Sequence, residues 1–188
     1  MKKFNYLILS FILFLLPTKV YSLIEVDITR GNLNPLPIAV SPLSSNSESI
    51  TSLNKKLNVK NIGLEISKVV ENNLRTSGLF NPLNKDAFLQ KPDIAHLKPR
   101  FEDWALIKAQ ALITGKVMLQ NEKLRVEFRL WDVLAGKEMM ALAFTTVPKN
   151  WRRVGHIITD KVYERLTGEK GYFDTRIIYV SEKGPKTQ

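Results

Sequence analysis

The sequence predicts an α+β fold: a mostly antiparallel sheet of five to six strands, with two main amphipathic helices packed on one face. Three observations predict it. Residues 111–147 hold three strand-like runs separated by short turns. Residues 61–77 and 150–167 each carry an apolar stripe at spacings of three and four. The hydrophobic fraction of 44% across 188 residues suffices for one compact domain, not for two large ones.

The first 22 residues read as a secretory leader. Lys2 and Lys3 make a positive start, Tyr6 to Leu16 is apolar apart from Ser10, and Pro17 ends the run. Val20-Tyr21-Ser22 supplies a cleavage site, so the mature chain is expected to run from Leu23 to Gln188. The apolar run is shorter than the roughly 20 residues a membrane span needs. No later segment is long and apolar enough to span, so the mature chain is expected outside the cytoplasm with no transmembrane segment. Losing Lys2, Lys3 and Lys19 with the leader lowers the net charge from +10 to +7, which still favours acidic partners. Export argues against nucleic acid. The chain has no cysteine, which excludes a disulfide, a thiolate metal site and a cysteine nucleophile.

Leu23 to Thr29 alternates, with Ile24, Val26 and Ile28 on one side and Glu25, Asp27 and Thr29 on the other. Period two reads as a half-buried strand. Ile38-Ala39-Val40 reads as a second, short strand after Pro35 and Pro37. Ser41 to Lys60, rich in serine, reads as an exposed loop. Asn61 to Ser77 reads as a helix with Ile62, Ile66, Val69, Val70 and Leu74 on its stripe, stopped by Gly78. Asn84 to Lys98 reads as loop, and Arg100 to Gln110 as a short helix with Phe101, Trp104 and Ile107 on one side. The meander runs through Ala111–Gln120, Leu124–Asp132 and Glu138–Val147. Asn150 reads as the N-cap of a helix that ends at Thr167-Gly168. A last strand is expected around Ile177-Ile178-Tyr179-Val180.

Catalytic and metal-binding patterns are missing. His96 and His156 belong to no zinc-ligand spacing, and no nucleophile elbow, phosphate loop or dinucleotide loop is present. Glu102 and Asp103 are adjacent and so do not face each other. No enzyme activity, cofactor or metal is expected. Arg152 and Arg153 follow Trp151 at a helix start, where cations sit badly against the helix dipole unless an anion bridges them. They are the candidate contact for a bound anion or acidic partner.

An ordered series of segments resembles the TolB family at its N-terminal domain. It comprises Ile24-Glu25-Val26-Asp27-Ile28-Thr29, Pro37-Ile38-Ala39-Val40, Leu74 to Phe80, Trp104, Phe128-Arg129-Leu130-Trp131-Asp132, and Val147 through His156. The most specific piece is Leu166 to Ser181. The resemblance implies a periplasmic, non-enzymatic adaptor of the Tol-Pal system. That system supports outer-membrane integrity and invagination during division, and some bacteriocins exploit it. The resemblance points to Leu23, Ile24, Glu25, Val26, Asp27, Ile28 and Thr29 as the contact with a TolA-like protein, by strand addition. The same strand can instead complete its own sheet.

Residues 23–181 are then the N-terminal-like domain, and 182–188 the start of a linker toward a β-propeller that the sequence does not contain. In the family the propeller carries the main surface for a Pal-like lipoprotein, so that partner is not expected here. The chain is expected to be a monomer and a fragment, a truncated reading frame or a separate N-domain product. The alternative reading is a stand-alone periplasmic domain binding an anionic envelope ligand, peptidoglycan or lipopolysaccharide. A hydrolase would need a pocket of converging acids or histidines.

Overall fold

The computed structural model describes residues 34–45 and 47–175. The elements run in the order β1 (Leu36–Val40), α1 (Glu48–Lys56), α2 (Ile62–Thr76), β2 (Phe80–Pro82), α3 (Pro92–Leu97), α4 (Phe101–Leu106), β3 (Ala111–Gln120), β4 (Lys123–Asp132), β5 (Lys137–Thr146) and α5 (Trp151–Thr167). The expected leader, the strand expected over Leu23–Thr29 and the one expected around Ile177–Val180 lie outside the described residues.

The five strands form one sheet in the order β2-β1-β3-β4-β5. The expected meander is there: β3, β4 and β5 pair antiparallel along almost their full length. β1 pairs parallel with both β2 and β3, so the sheet is mixed but mostly antiparallel. β1 therefore sits inside the sheet, and Ile38 and Ala39 are fully buried.

The pleat divides the core in two. On one face Ile38, Val40, Ile113, Val126, Phe128 and Leu130 meet the stripes of α2 and α5. These are the two amphipathic helices read from the sequence. On the other face Ala39 and Leu112 meet Ala95 of α3 and Trp104 of α4. The indole of Trp104 donates to Gln90 Oε1 at 3.1 Å, and the same oxygen accepts from the Arg100 N–H at 3.0 Å. One buried side chain thus fixes the start of α4 against the sheet.

Three expectations are corrected, and one short strand is added. Ser41–Lys60 is not all loop: it contains α1, capped by Ser47 Oγ accepting from the Ile50 N–H at 3.2 Å. Ile50 and Leu53 are buried, but two apolar residues make too thin a stripe to stand out among serines. The added strand is β2, which follows Leu79 and pairs with β1. The stretch Asn84–Lys98 holds a 3-10 turn at Lys85–Ala87 and the helix α3, whose first residue is Pro92. Asn150 does not cap α5 with its side chain; its amide donates instead to Thr146 Oγ1 at 3.4 Å. The helix stops at Gly78 and Gly168 stand as read, each with φ of +75°.

Candidate partner-binding surfaces

The predicted partner segment, Leu23–Thr29, precedes the described residues. Arg30 to Pro35 join it to β1. The sheet that follows has two edges, and they differ. β2 offers three residues, one of them Pro82, which has no N–H. β5 offers ten and has β4 as its one strand neighbour among the described residues.

β5 is irregular at its start. The register shifts between Leu130 and Trp131 of β4, so that Leu130 pairs with Met140 and Trp131 with Glu138. Met139 is the extra residue of this bulge. Its carbonyl accepts from Arg165 Nε of α5 at 3.3 Å. Beyond the bulge, Met140 to Thr146 carries no charge and no proline. Met140, Leu142 and Phe144 continue the apolar rows of Leu130, Phe128 and Val126. Phe144 stacks on Phe128 with centroids 6.0 Å apart, and Leu142 is 38% exposed. On the opposite face Ala141, Ala143 and Thr145 lie beside Arg129, Glu127 and Arg125. Arg125 Nε donates to Glu127 at 2.8 Å, and this bond does most to hold the Glu127 carboxyl below its ordinary range. The sequence pattern identifies β5 as a strand but not as the last one of the sheet among the described residues, because strand order is a non-local property.

The arginines at the start of α5 are both engaged. Arg153 makes a two-pronged contact with the Asp174 carboxylate, at 2.9 to 3.1 Å, which raises the arginine pKa. Asp174 is held in turn: its N–H donates to Asp160 Oδ2 at 3.0 Å, and the Phe173 N–H donates to Oδ1 at 2.7 Å. The anion that faces Arg153 is therefore the chain's own. Arg152 lies over the Trp151 ring, 5.2 Å from its centroid. The role of Asp160 was not legible, since nothing in its own helix marks it.

The histidines lie apart. His156 Nδ1 is 2.9 Å from Asn73 Nδ2, a bond between α5 and α2. His96 is buried in α3, and its Nδ1 has no hydrogen-bond partner. Burial chiefly, and then the charges of Lys116 and Arg129, hold its pKa below the ordinary value. Among the described residues no three His, Asp or Glu side chains cluster to hold a metal ion. None of their helices is long and apolar enough to cross a membrane. A polar cleft of about 550 Å³ opens between the end of α1 and the start of α2, lined by Lys55, Lys60, Asn54, Asn58 and Asn61 among others.

Comparison with known proteins places this architecture. The family model of the TolB amino-terminal domain matches residues 24–139. The Tol-Pal system protein TolB of Pelagibacter ubique (strain HTCC1062) is 78% identical over 179 residues. That match takes in 95% of this chain but 40% of the relative, so the chain spans well under half of that protein's length. The crystal structure of TolB from Acinetobacter baumannii overlays with a TM-score of 0.57 at 19% identity, covering 79% of this chain and 32% of that one. It shares the fold. The LpoB C-terminal domain from Salmonella enterica overlays more loosely, with a TM-score of 0.41 at 10% identity, over 62% of this chain and 86% of that one. On the family match and the close relative together, the chain belongs to the TolB family, in its amino-terminal domain.

Proposed function

We propose that this domain is a periplasmic, non-enzymatic adaptor of the Tol-Pal system that binds a TolA-like protein through Leu23–Thr29. The observation that carries the reading is the 78% identity to a protein named for that system, over 95% of the chain. The alternating Leu23–Thr29 segment agrees with it, because an extended strand binds a sheet edge through its backbone and selects it with alternate side chains. Through such contacts the domain would contribute to outer-membrane integrity and to invagination at division, and could be used by bacteriocins. Calorimetric titration of the chain with the C-terminal domain of a TolA-like protein tests this. Val26→Asp places a charge on the apolar side of the strand and is expected to weaken binding at least tenfold, about 1.4 kcal/mol. Unchanged affinity would sink the assignment of the strand.

The cleft between α1 and α2 favours the second reading, an anionic envelope ligand. Two lysines line it with amides, and no acid does. Binding of a muropeptide or lipopolysaccharide, lost in Lys55→Ala/Lys60→Ala, would support that reading.

A further inference from the structure

We propose that the cleft between α1 and α2 is a binding site for a phosphorylated sugar, with Lys55 and Lys60 on the phosphate and the neighbouring hydroxyls and amides on the sugar. The inference rests on the second reading above, which it deepens by naming the class of ligand. It is independent of the partner reading.

The cleft is formed by a tightly bonded turn. α1 ends at Lys56, and the chain reverses through Asn58 at φ of +54°. Asparagine tolerates that left-handed conformation. The Asn58 N–H donates to the Lys55 carbonyl at 3.1 Å, and the Val59 N–H to the Asn54 carbonyl at 2.8 Å. Two side-chain amides hold the far side of the turn. Asn54 Nδ2 donates to the Lys60 carbonyl at 3.5 Å. Asn61 Oδ1 accepts from the Leu64 N–H and from Ser45 Oγ, both at 3.0 Å. The Asn61 amide is thereby oriented: its oxygen is engaged at the start of α2, and its Nδ2 remains as a donor. A ligand that enters meets groups already in place, which lowers the ordering cost of binding.

The chemistry of the walls selects the ligand. Among the described residues no acid lines the cleft, and neither Lys55 nor Lys60 has a carboxylate partner. Lysines elsewhere on the surface do: Lys68 pairs with Glu65, Lys85 with Glu71 and Lys161 with Glu164. Two unpaired ammonium groups beside one cavity favour a doubly charged anion such as phosphate. The remaining polar walls are the hydroxyls of Ser45 and Thr51 and the amides of Asn54, Asn58 and Asn61. Such groups donate and accept, as the hydroxyls of a sugar require. Val59 is the one apolar side chain among the described lining residues, so an acyl chain finds no cover. No aromatic ring lines the cleft for a base to stack on, which disfavours a nucleotide. The volume of about 550 Å³ lies within the roughly 300–1,000 Å³ of small-molecule sites. A bare phosphate would leave most of that space to water, whereas a monosaccharide phosphate reaches both the lysines and the amides.

The whole chain, labelled with nitrogen-15, is titrated with N-acetylglucosamine 1-phosphate. Parallel titrations use N-acetylglucosamine and inorganic phosphate at the same ionic strength. The expected result is saturable amide shifts centred on residues 54–61, with the sugar phosphate binding at least tenfold tighter than either component. Lys55→Gln/Lys60→Gln changes two exposed residues, and thermal unfolding confirms that the fold is kept. It is expected to weaken the sugar phosphate at least tenfold and to leave the neutral sugar unaffected. Asn58→Gly keeps the turn, removes one amide and is expected to weaken both. Inorganic phosphate that binds as tightly as the sugar phosphate would show an adventitious ion only and overturn the proposal. Absence of shifts at millimolar concentration, or shifts away from the cleft, would overturn it too. Binding of a muropeptide that is lost in Lys55→Ala/Lys60→Ala, with no binding of the sugar phosphate, would overturn the phosphate assignment and leave the envelope-ligand reading standing.

Discussion

Gly155 of α5 faces α2 with no room for a side chain. A Cβ there would stand 2.8 Å from both Cβ and Cγ1 of Val69, and 3.3 Å from the Ile66 carbonyl oxygen. Gly155→Ala is therefore expected to lower stability by about 1–3 kcal/mol despite the helix-favouring substitution. Urea unfolding measures this, and an unchanged midpoint would contradict the packing described. His96 makes a second prediction at this scale. Its folded pKa lies below the ordinary value, mainly through burial. Lys116 and Arg129 push it the same way, while Glu127 and Asp93 oppose them. The unfolded chain then binds the proton more tightly than the folded one. The contribution of neutral His96 is complete above about pH 6.5 and declines as pH falls below it. Wild type should lose stability between pH 7.5 and 5.5, and His96→Gln should lose less over the same interval. Identical losses would show that His96 does not couple to folding there. Neither role was legible in the sequence. Gly155 depends on Val69, far away in the chain, and the burial of His96 depends on how α3 meets the sheet.

At the scale of elements, legibility followed the range of the determining interactions. The β3–β5 meander is written in a local period of two, and α2 and α5 in long stripes with glycine stops. All of these stand as read. The missed elements are short and held from outside. β2 is three residues whose pairing with β1 is non-local. α1 has Ile50 and Leu53 buried on an otherwise polar helix. Its start rests on the Ser47 cap, so Ser47→Ala should cost about 1 kcal/mol. A drop in urea midpoint of that order is expected, with amide exchange accelerated in residues 48–56. Exchange that stays slow there would show that burial alone holds the helix. The cap expected for α5 is absent for a specific reason. Pro148–Asn150 forms a 3-10 turn that leads directly into the helix, leaving Asn150 at ψ of 12° rather than extended.

For the whole molecule, fold class and family are both legible in the amino-acid sequence, because many weak signals occur in a fixed order. The sheet topology is not. Nothing local says that β1 inserts between β2 and β3, or that β5 is the last strand of the sheet among the described residues. Arg153 pairs with Asp174, a contact set by tertiary structure through Asp160. The segment assigned to the partner lies before the described residues, and its assignment rests on resemblance and pattern. The most direct measurement is a calorimetric titration of two proteins, the chain with and without residues 23–29, against the C-terminal domain of a TolA-like protein. Thermal unfolding of both proteins runs alongside. The account predicts that both unfold cooperatively and that only the longer one binds. Equal binding by the two, or no binding by either folded protein, would contradict it.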